Sequence, residues 1–220
     1  MTHSLTEENY LKTLYYLSGH SEKVTVNELS KQLRIKMPTV TSMMKKLAEK
    51  KMVHYKRYRP LQLTEQGKKA ASSIIRKHRL TEMFLVEKMG IGWEDVHPIA
   101  EQVEHIQSPR FFEKMDELLG YPRIDPHGSP IPDKHGRIIR KTYKRLNECK
   151  AGSTVKLAAV NNTSVEFLKF LNSRELKLGT RLKIKSVEPF DHSVTVSYGK
   201  HTSETLSFAV SGRLLVENLT

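Results

Sequence analysis

The sequence predicts a mainly α chain with a small β domain: an N-terminal winged helix-turn-helix, a helical middle suited to metal binding and dimerisation, and a C-terminal β-barrel. Three observations carry this. Apolar residues recur at helical spacing through the first half and shift to a period of two after Gly152. Three short helical patterns followed by a basic hairpin open the chain. Between these regions, acids and imidazoles sit one helical turn apart. The boundaries follow at 1–72, 73–149 and 150–220.

The first helix is predicted from Thr6, a good N-cap followed by Glu7 and Glu8, through about Ser18, ended by Gly19-His20-Ser21. Its apolar stripe is Tyr10, Leu11, Leu14 and Leu17. Val24 to Leu33 gives a second helix. Pro38 to Lys50 gives a third, with proline in the first turn, where its missing N–H costs nothing. Val40, Met43, Met44 and Leu47 face inward. The opposite face shows Thr39, Thr41, Ser42, Lys45 and Lys46, preceded by Lys36 and Pro38, a set suited to base edges and phosphates in a major groove. Residues 52–64, MVHYKRYRPLQLT, place two strand-like runs around Lys56, Arg57 and Arg59, which reads as a wing. Thr64 then caps a helix to about Lys88, roughly 36 Å long. Ile74, Ile75, Leu80, Phe84, Leu85 and Met89 are more apolar surface than one head needs, so a second copy is the expected partner.

Composition agrees. The chain of 220 residues carries a formal net charge of +13. Residues 1–72 hold 14 Lys/Arg against 6 Asp/Glu, residues 73–149 hold 13 against 12, and residues 150–220 hold 10 against 6. The excess lies at the front, where a double-stranded DNA partner is expected. A signal-peptide pattern and an apolar run of about 18 residues are both missing, which implies a cytoplasmic protein without a membrane partner. Cys149 is the single cysteine, so thiolate clusters are excluded, and a small buried side chain is expected there.

Metal chemistry would rest on His, carboxylate and carbonyl groups. His78 and Glu82 lie four apart on the long helix. After MGIGW, His97, Glu101 and His105 recur every four residues, with Glu104 beside them, so one helix face carries a nearly continuous stripe. Each pair alone is an ordinary solvated surface. Two pairs and Glu104 in one hairpin can hold a divalent ion of intermediate hardness. The zinc-protease H-E-x-x-H pattern is absent, and Glu-x-x-His occurs once, at Glu94/His97.

SPRFFEKMDELLGY is expected as a short helix, and PRIDPHGSPIPDKHGR as an irregular loop with His127 and His135 solvated. Residues 138–150 are expected as a linker. Beyond it, STVKLAAV, TRLKIKSVEPF, VTVSYG and GRLLVENL read as strands, with one helix, VEFLKFLNSREL, whose Glu166 could reach the metal hairpin.

The segments ENYLKTLYYL, PTVTSMMKKL, YRPLQLTEQGKKA, KHRLTE, VHPIAEQVEH and DPHGSPIP resemble, over nearly the whole chain, the diphtheria-toxin-repressor and manganese-transport-regulator family of bacterial metalloregulators. The resemblance implies a homodimer that binds a palindromic operator when metal-loaded and represses metal-uptake genes, with an SH3-like C-terminal barrel. It implies one site from Asn9, Glu101, Glu104 and His105, a second from His78, Glu82 and His97, and Glu166 as a ligand from the barrel. The iron branch has Met and Cys where Asn9 and Glu101 stand; the manganese branch has Asp for Asn9 and, in short members, Glu for Lys12. Oxygen-rich ligation then favours Mn(II), with Fe(II) the alternative, at one or two ions per subunit and no organic cofactor. The ion would staple the reading head to the hairpin. Rival readings are a regulator with an organic effector and, from another class, a metal-dependent hydrolase acting on nucleic acid.

Overall fold

The structure, a computed structural model, describes residues 4–20, 23–139 and 141–219. Ser21 and Arg140, which fall in the expected helix stop and linker, lie outside them. The chain forms two compact units, Met1–Thr81 with Ala100–Gly120 and Ile131–Ile138, and Glu82–Ile99 with Tyr121–Pro130 and Ile139–Thr220. No helix among the described residues is long and apolar enough to cross a membrane.

In the first unit, helix α1 spans Leu5–His20. It starts one residue before the predicted cap, because Ser4 and Glu7 bond reciprocally: the Glu7 N–H donates to Ser4 Oγ and the Ser4 N–H donates to Glu7 Oε2. Helix α2, Val26–Leu33, carries a capping box between Thr25 and Glu28 and ends at Arg34 in the left-handed conformation. Helix α3, Met37–Glu49, buries Val40, Met44 and Leu47. These join Tyr10, Leu11, Leu14, Val24, Leu29, Leu61 and Leu63 in one apolar core. Strands β1 (Val53–His54) and β2 (Gln62–Leu63) pair antiparallel as the wing. Each is only two residues long, so the wing is mostly turn, with Lys56, Arg57, Tyr58 and Arg59 exposed.

Helix α4, Glu65–Met89, runs 25 residues. Helix α5, His97–Val103, is shorter than the predicted stripe: Glu104 and His105 lie in the turn that follows it. Helix α6, Pro109–Leu118, is capped by Ser108. Ile74, Ile75, Leu80 and Leu85 are buried within the chain rather than left for a second copy, whereas Met89, Ile106, Phe111 and Leu118 are exposed.

The second unit holds the β domain. Strands β3 (Lys144–Arg145), β4 (Thr154–Val160), β5 (Arg181–Val187), β6 (Val194–Tyr198), β7 (His201–Leu206) and β8 (Leu214–Asn218) form one antiparallel sheet ordered β3-β8-β4-β5-β6-β7. The edges β3 and β7 are not paired to each other among the described residues, so the expected barrel is an open sheet. Helices α7 (Val165–Ser173) and α8 (Phe208–Ser211) accompany it. Strand β7 escapes sequence reading because HTSETL buries only Leu206 and shows no apolar alternation. Part of the expected linker belongs to this domain: Lys144 and Arg145 pair with β8, and Leu146 and Cys149 enter its core.

The loop between α6 and β3 is ordered by a repeated turn. Asp125 Oδ1 accepts the N–H groups of His127 and Ser129, and Asp133 Oδ1 accepts those of His135 and Arg137. The third residue after each aspartate is a glycine at positive φ, Gly128 at 90° and Gly136 at 82°. The first copy is buried; in the second, His135 is exposed as expected.

Candidate metal centre and nucleic-acid interface

In the second unit, Glu82, Asp125 and His127 converge: each offers one ligand atom, and these lie within 4.8 Å of one another. Glu82 comes from α4 and the other two from the buried copy of the turn. Asp125 is 3% exposed and His127 is 2% exposed, which corrects the expectation that His127 is solvated. The imidazole is tightly placed. Its Nε2 is 2.8 Å from the Trp93 carbonyl oxygen, its ring stacks on the Trp93 indole at 5.8 Å between centroids, and Nδ1 is 3.8 Å from Glu82 Oε2. A carbonyl only accepts, so Nε2 carries the proton donated to it and Nδ1 is directed at the carboxylates. Glu82 Oε1 is 3.1 Å from His97 Nδ1, whose side chain is half exposed.

Two buried carboxylates and a neutral imidazole give a −2 site of hard and borderline donors, oriented by backbone groups. The residues fit a divalent first-row ion. Burial alone would push the His127 pKa down, but Glu82 and Asp125 outweigh it and hold the imidazole above its ordinary value.

In the first unit, Glu104 is fully buried. Its Oε2 is 2.5 Å from His78 Nδ1, and its Oε1 accepts from Lys12 Nζ at 2.6 Å and lies 3.5 Å from His105 Nε2. Burial opposes its charge, yet the His78 hydrogen bond and the Lys12 ammonium hold its pKa below the usual carboxylate range. Lys12 also reaches Glu101 Oε1 at 3.4 Å, and His105 Nδ1 is 2.6 Å from Glu8 Oε2.

The first expected set is therefore regrouped. Glu101, Glu104 and His105 do meet α1, but through Glu8 and Lys12. Asn9 is exposed, and its backbone carbonyl accepts from the Thr13 hydroxyl. Of the second set, Glu82 pairs with His97, while His78, one turn earlier on α4, directs Nδ1 to Glu104. Glu166 is exposed in the first turn of α7 and is no part of the Glu82 cluster. Glu8, Asp125 and His127 were not singled out as ligands from the sequence. The repeated D-x-H-G at Asp125 and Asp133 was the one available signal for the last two.

On the DNA-reading side, Lys36, Pro38, Thr39, Ser42, Lys45 and Lys46 are exposed along α3, and Thr41 is half-buried. Lys46 and Lys50 also engage buried Glu7, at 3.1 and 2.7 Å. In the wing, the Arg57 guanidinium lies over the Tyr58 ring, 4.8 Å from its centroid.

A winged helix-turn-helix joined to carboxylate and imidazole clusters defines a metal-responsive DNA-binding regulator. The chain matches the family models for the iron dependent repressor N-terminal DNA binding domain over residues 3–61, the iron dependent repressor metal binding and dimerisation domain over residues 64–133, and the FeoA domain over residues 144–218. It is 33% identical over 191 residues to the iron-dependent repressor IdeR of Mycobacterium tuberculosis, spanning 84% of this chain and 80% of that protein. It is 28% identical over 141 residues to the HTH-type transcriptional regulator MntR of Oceanobacillus iheyensis, spanning 64% of this chain and 93% of that protein. Among solved structures, a manganese-dependent transcriptional repressor in complex with manganese superposes with a TM-score of 0.83 at 29% identity, covering 97% of this chain and all of that one. The chain belongs to the diphtheria-toxin-repressor and manganese-transport-regulator family of metal-dependent transcriptional repressors. It is a regulator rather than an enzyme, which sets the hydrolase reading aside.

Proposed function

We propose that this chain is an Mn(II)-activated repressor that binds a two-fold-symmetric operator as a homodimer in the cytoplasm and controls metal-uptake genes. The observation that carries the reading is the buried Glu82, Asp125 and His127 cluster, whose oxygen and nitrogen donors suit manganese. Fe(II) is the alternative, since intrinsic affinity for such donors rises from Mn(II) to Fe(II), and relatives named for both metals are found. His97 extends the cluster through Glu82, and His78 is the further ligand that the family resemblance suggests. The exposed face of α3, with Lys36, Pro38, Thr39, Ser42 and Lys45, enters the major groove, and Lys56, Arg57 and Arg59 of the wing contact phosphates. Thr41 and Lys46 border that face. Exposed Met89, Phe111 and Leu118 supply apolar surface for a second copy.

The test is to titrate Mn(II) and Fe(II) separately against binding of a duplex enriched from a random pool, with a chelator control. Tight binding with Mn(II), its loss with chelator, and a loss of about 100-fold or more in metal affinity for His127→Ala are expected, a ligand being worth at least as much as the 10- to 100-fold typical of outer-shell partners. Equal DNA affinity with and without metal would refute the proposal.

A further inference from the structure

We propose that Lys12 is a tethered cation that closes the Glu101, Glu104 and His105 cluster in place of a divalent ion, so that α1 is latched to this cluster without metal. This rests on the reading of Glu82, Asp125 and His127 as the responsive site only for where the metal signal then enters.

Lys12 is 8% exposed, and its ammonium sits 2.6 Å from Glu104 Oε1 and 3.4 Å from Glu101 Oε1. An ion bound to the same oxygens would stand at about 2.0–2.2 Å from each. It would face a fixed positive charge at little more than contact distance, beside the fully buried Glu104 carboxylate. The other donors are engaged as well. Glu104 Oε2 is on His78, and His105 Nδ1 is on Glu8. Glu8 and Lys12 lie one turn apart on α1, so the helix presents a carboxylate and an ammonium together. Each meets its complement, Glu8 with His105 and Lys12 with Glu104. Lys77 adds a second ammonium nearby, donating to the Ile106 carbonyl at 3.1 Å. Three carboxylates, Glu8, Glu101 and Glu104, are thus opposed by two ammonium groups before either imidazole is protonated, which leaves a net charge of −1 to attract a divalent ion, against −2 at Glu82, Asp125 and His127. Asn9, exposed, supplies no compensating ligand.

The experiment measures Mn(II) per chain by elemental analysis after gel filtration, with a thermal unfolding scan of each protein. The proposal expects Glu101→Gln to leave the wild-type stoichiometry unchanged, Lys12→Met to gain one Mn(II) per chain, and the double variant Lys12→Met with Glu101→Gln to lose that gain. It is overturned if Glu101→Gln in the wild-type background sheds one ion, or if Lys12→Met unfolds with a native-like transition and gains none. Should Lys12→Met fail to fold, Glu101→Gln decides alone, since its side chain is largely exposed and the substitution keeps its volume. Failure of the responsive-site reading shows separately, as a wild type that keeps its metal content when His127 is replaced by Ala.

Discussion

His127 donates its Nε2–H to the carbonyl oxygen of Trp93 at 2.8 Å, and this bond turns Nδ1 toward Glu82. Trp93 is itself fixed, its indole N–H donating to Asn172 Oδ1 at 2.8 Å. The imidazole therefore offers one defined nitrogen to a cation or a proton. Glu82 and Asp125 raise its pKa above the ordinary 6.5 despite burial, so protons compete with metal into a higher pH range than for a free histidine. Mn(II) affinity should tighten as pH rises through that raised value. Metal-free stability should move the opposite way. A group with a raised folded-state pKa stabilises fully below its unfolded pKa and loses that contribution as pH rises through the folded one. Calorimetric titration of Mn(II) and urea unfolding without metal, both between pH 6 and 8.5, check the two signs.

Glu7 gives a second pH dependence, at the acid end. Burial opposes its charge, but hydrogen bonds from Lys50, the Ser4 N–H and Lys46 prevail and lower its pKa to about 2. A depressed carboxyl pKa stabilises above the unfolded value and the contribution is lost as pH falls toward the folded one. Glu7→Gln should cost on the order of 2 kcal/mol at pH 7, with the gap to wild type closing from pH 4.5 down to about 2. Urea denaturation of both proteins across that range measures it.

Affinity for DNA should fall steeply with salt, because counterions released by lysines and arginines drive association. Arg57→Ala and Lys45→Ala should each flatten the log–log slope by about one. Lys46→Ala should flatten it less, since its ammonium already lies 3.1 Å from Glu7. Fluorescence anisotropy at several salt concentrations separates the three.

The two copies of the Asp-x-His-Gly turn should respond differently to a methyl group. A Cβ on Gly128 would lie 2.4 Å from the Ala158 carbonyl oxygen, whereas one on Gly136 would lie 3.3 Å from the Ser72 side chain. Both glycines have positive φ, which costs alanine about 1 kcal/mol in either case. Gly128→Ala must also move backbone, so it should lower thermal stability by clearly more and weaken Mn(II) binding, while Gly136→Ala should leave metal content intact. Differential scanning calorimetry with metal analysis tests both.

Local patterns alone determined the helix-turn-helix, the long α4, the basic recognition face and most strands, because capping residues, proline placement and apolar periodicity act within a few residues of each other. The same patterns marked Glu82, His97, Glu101, Glu104 and His105, since one-turn spacing along a helix is readable without a partner. Which of these groups meet was decided by tertiary packing. No local spacing sets Lys12 apart and the family resemblance makes Asn9 the α1 ligand, whereas the rotation of α1 buries Lys12 against Glu104 and Glu8 against His105 and leaves Asn9 exposed. His127 reads as a loop histidine, until Asp125 folds the turn and Trp93 stacks on the ring. Burial and long-range charge pairing depend on residues more than 90 positions apart, as between Lys12 and Glu104 or Glu8 and His105, and no local spacing encodes them.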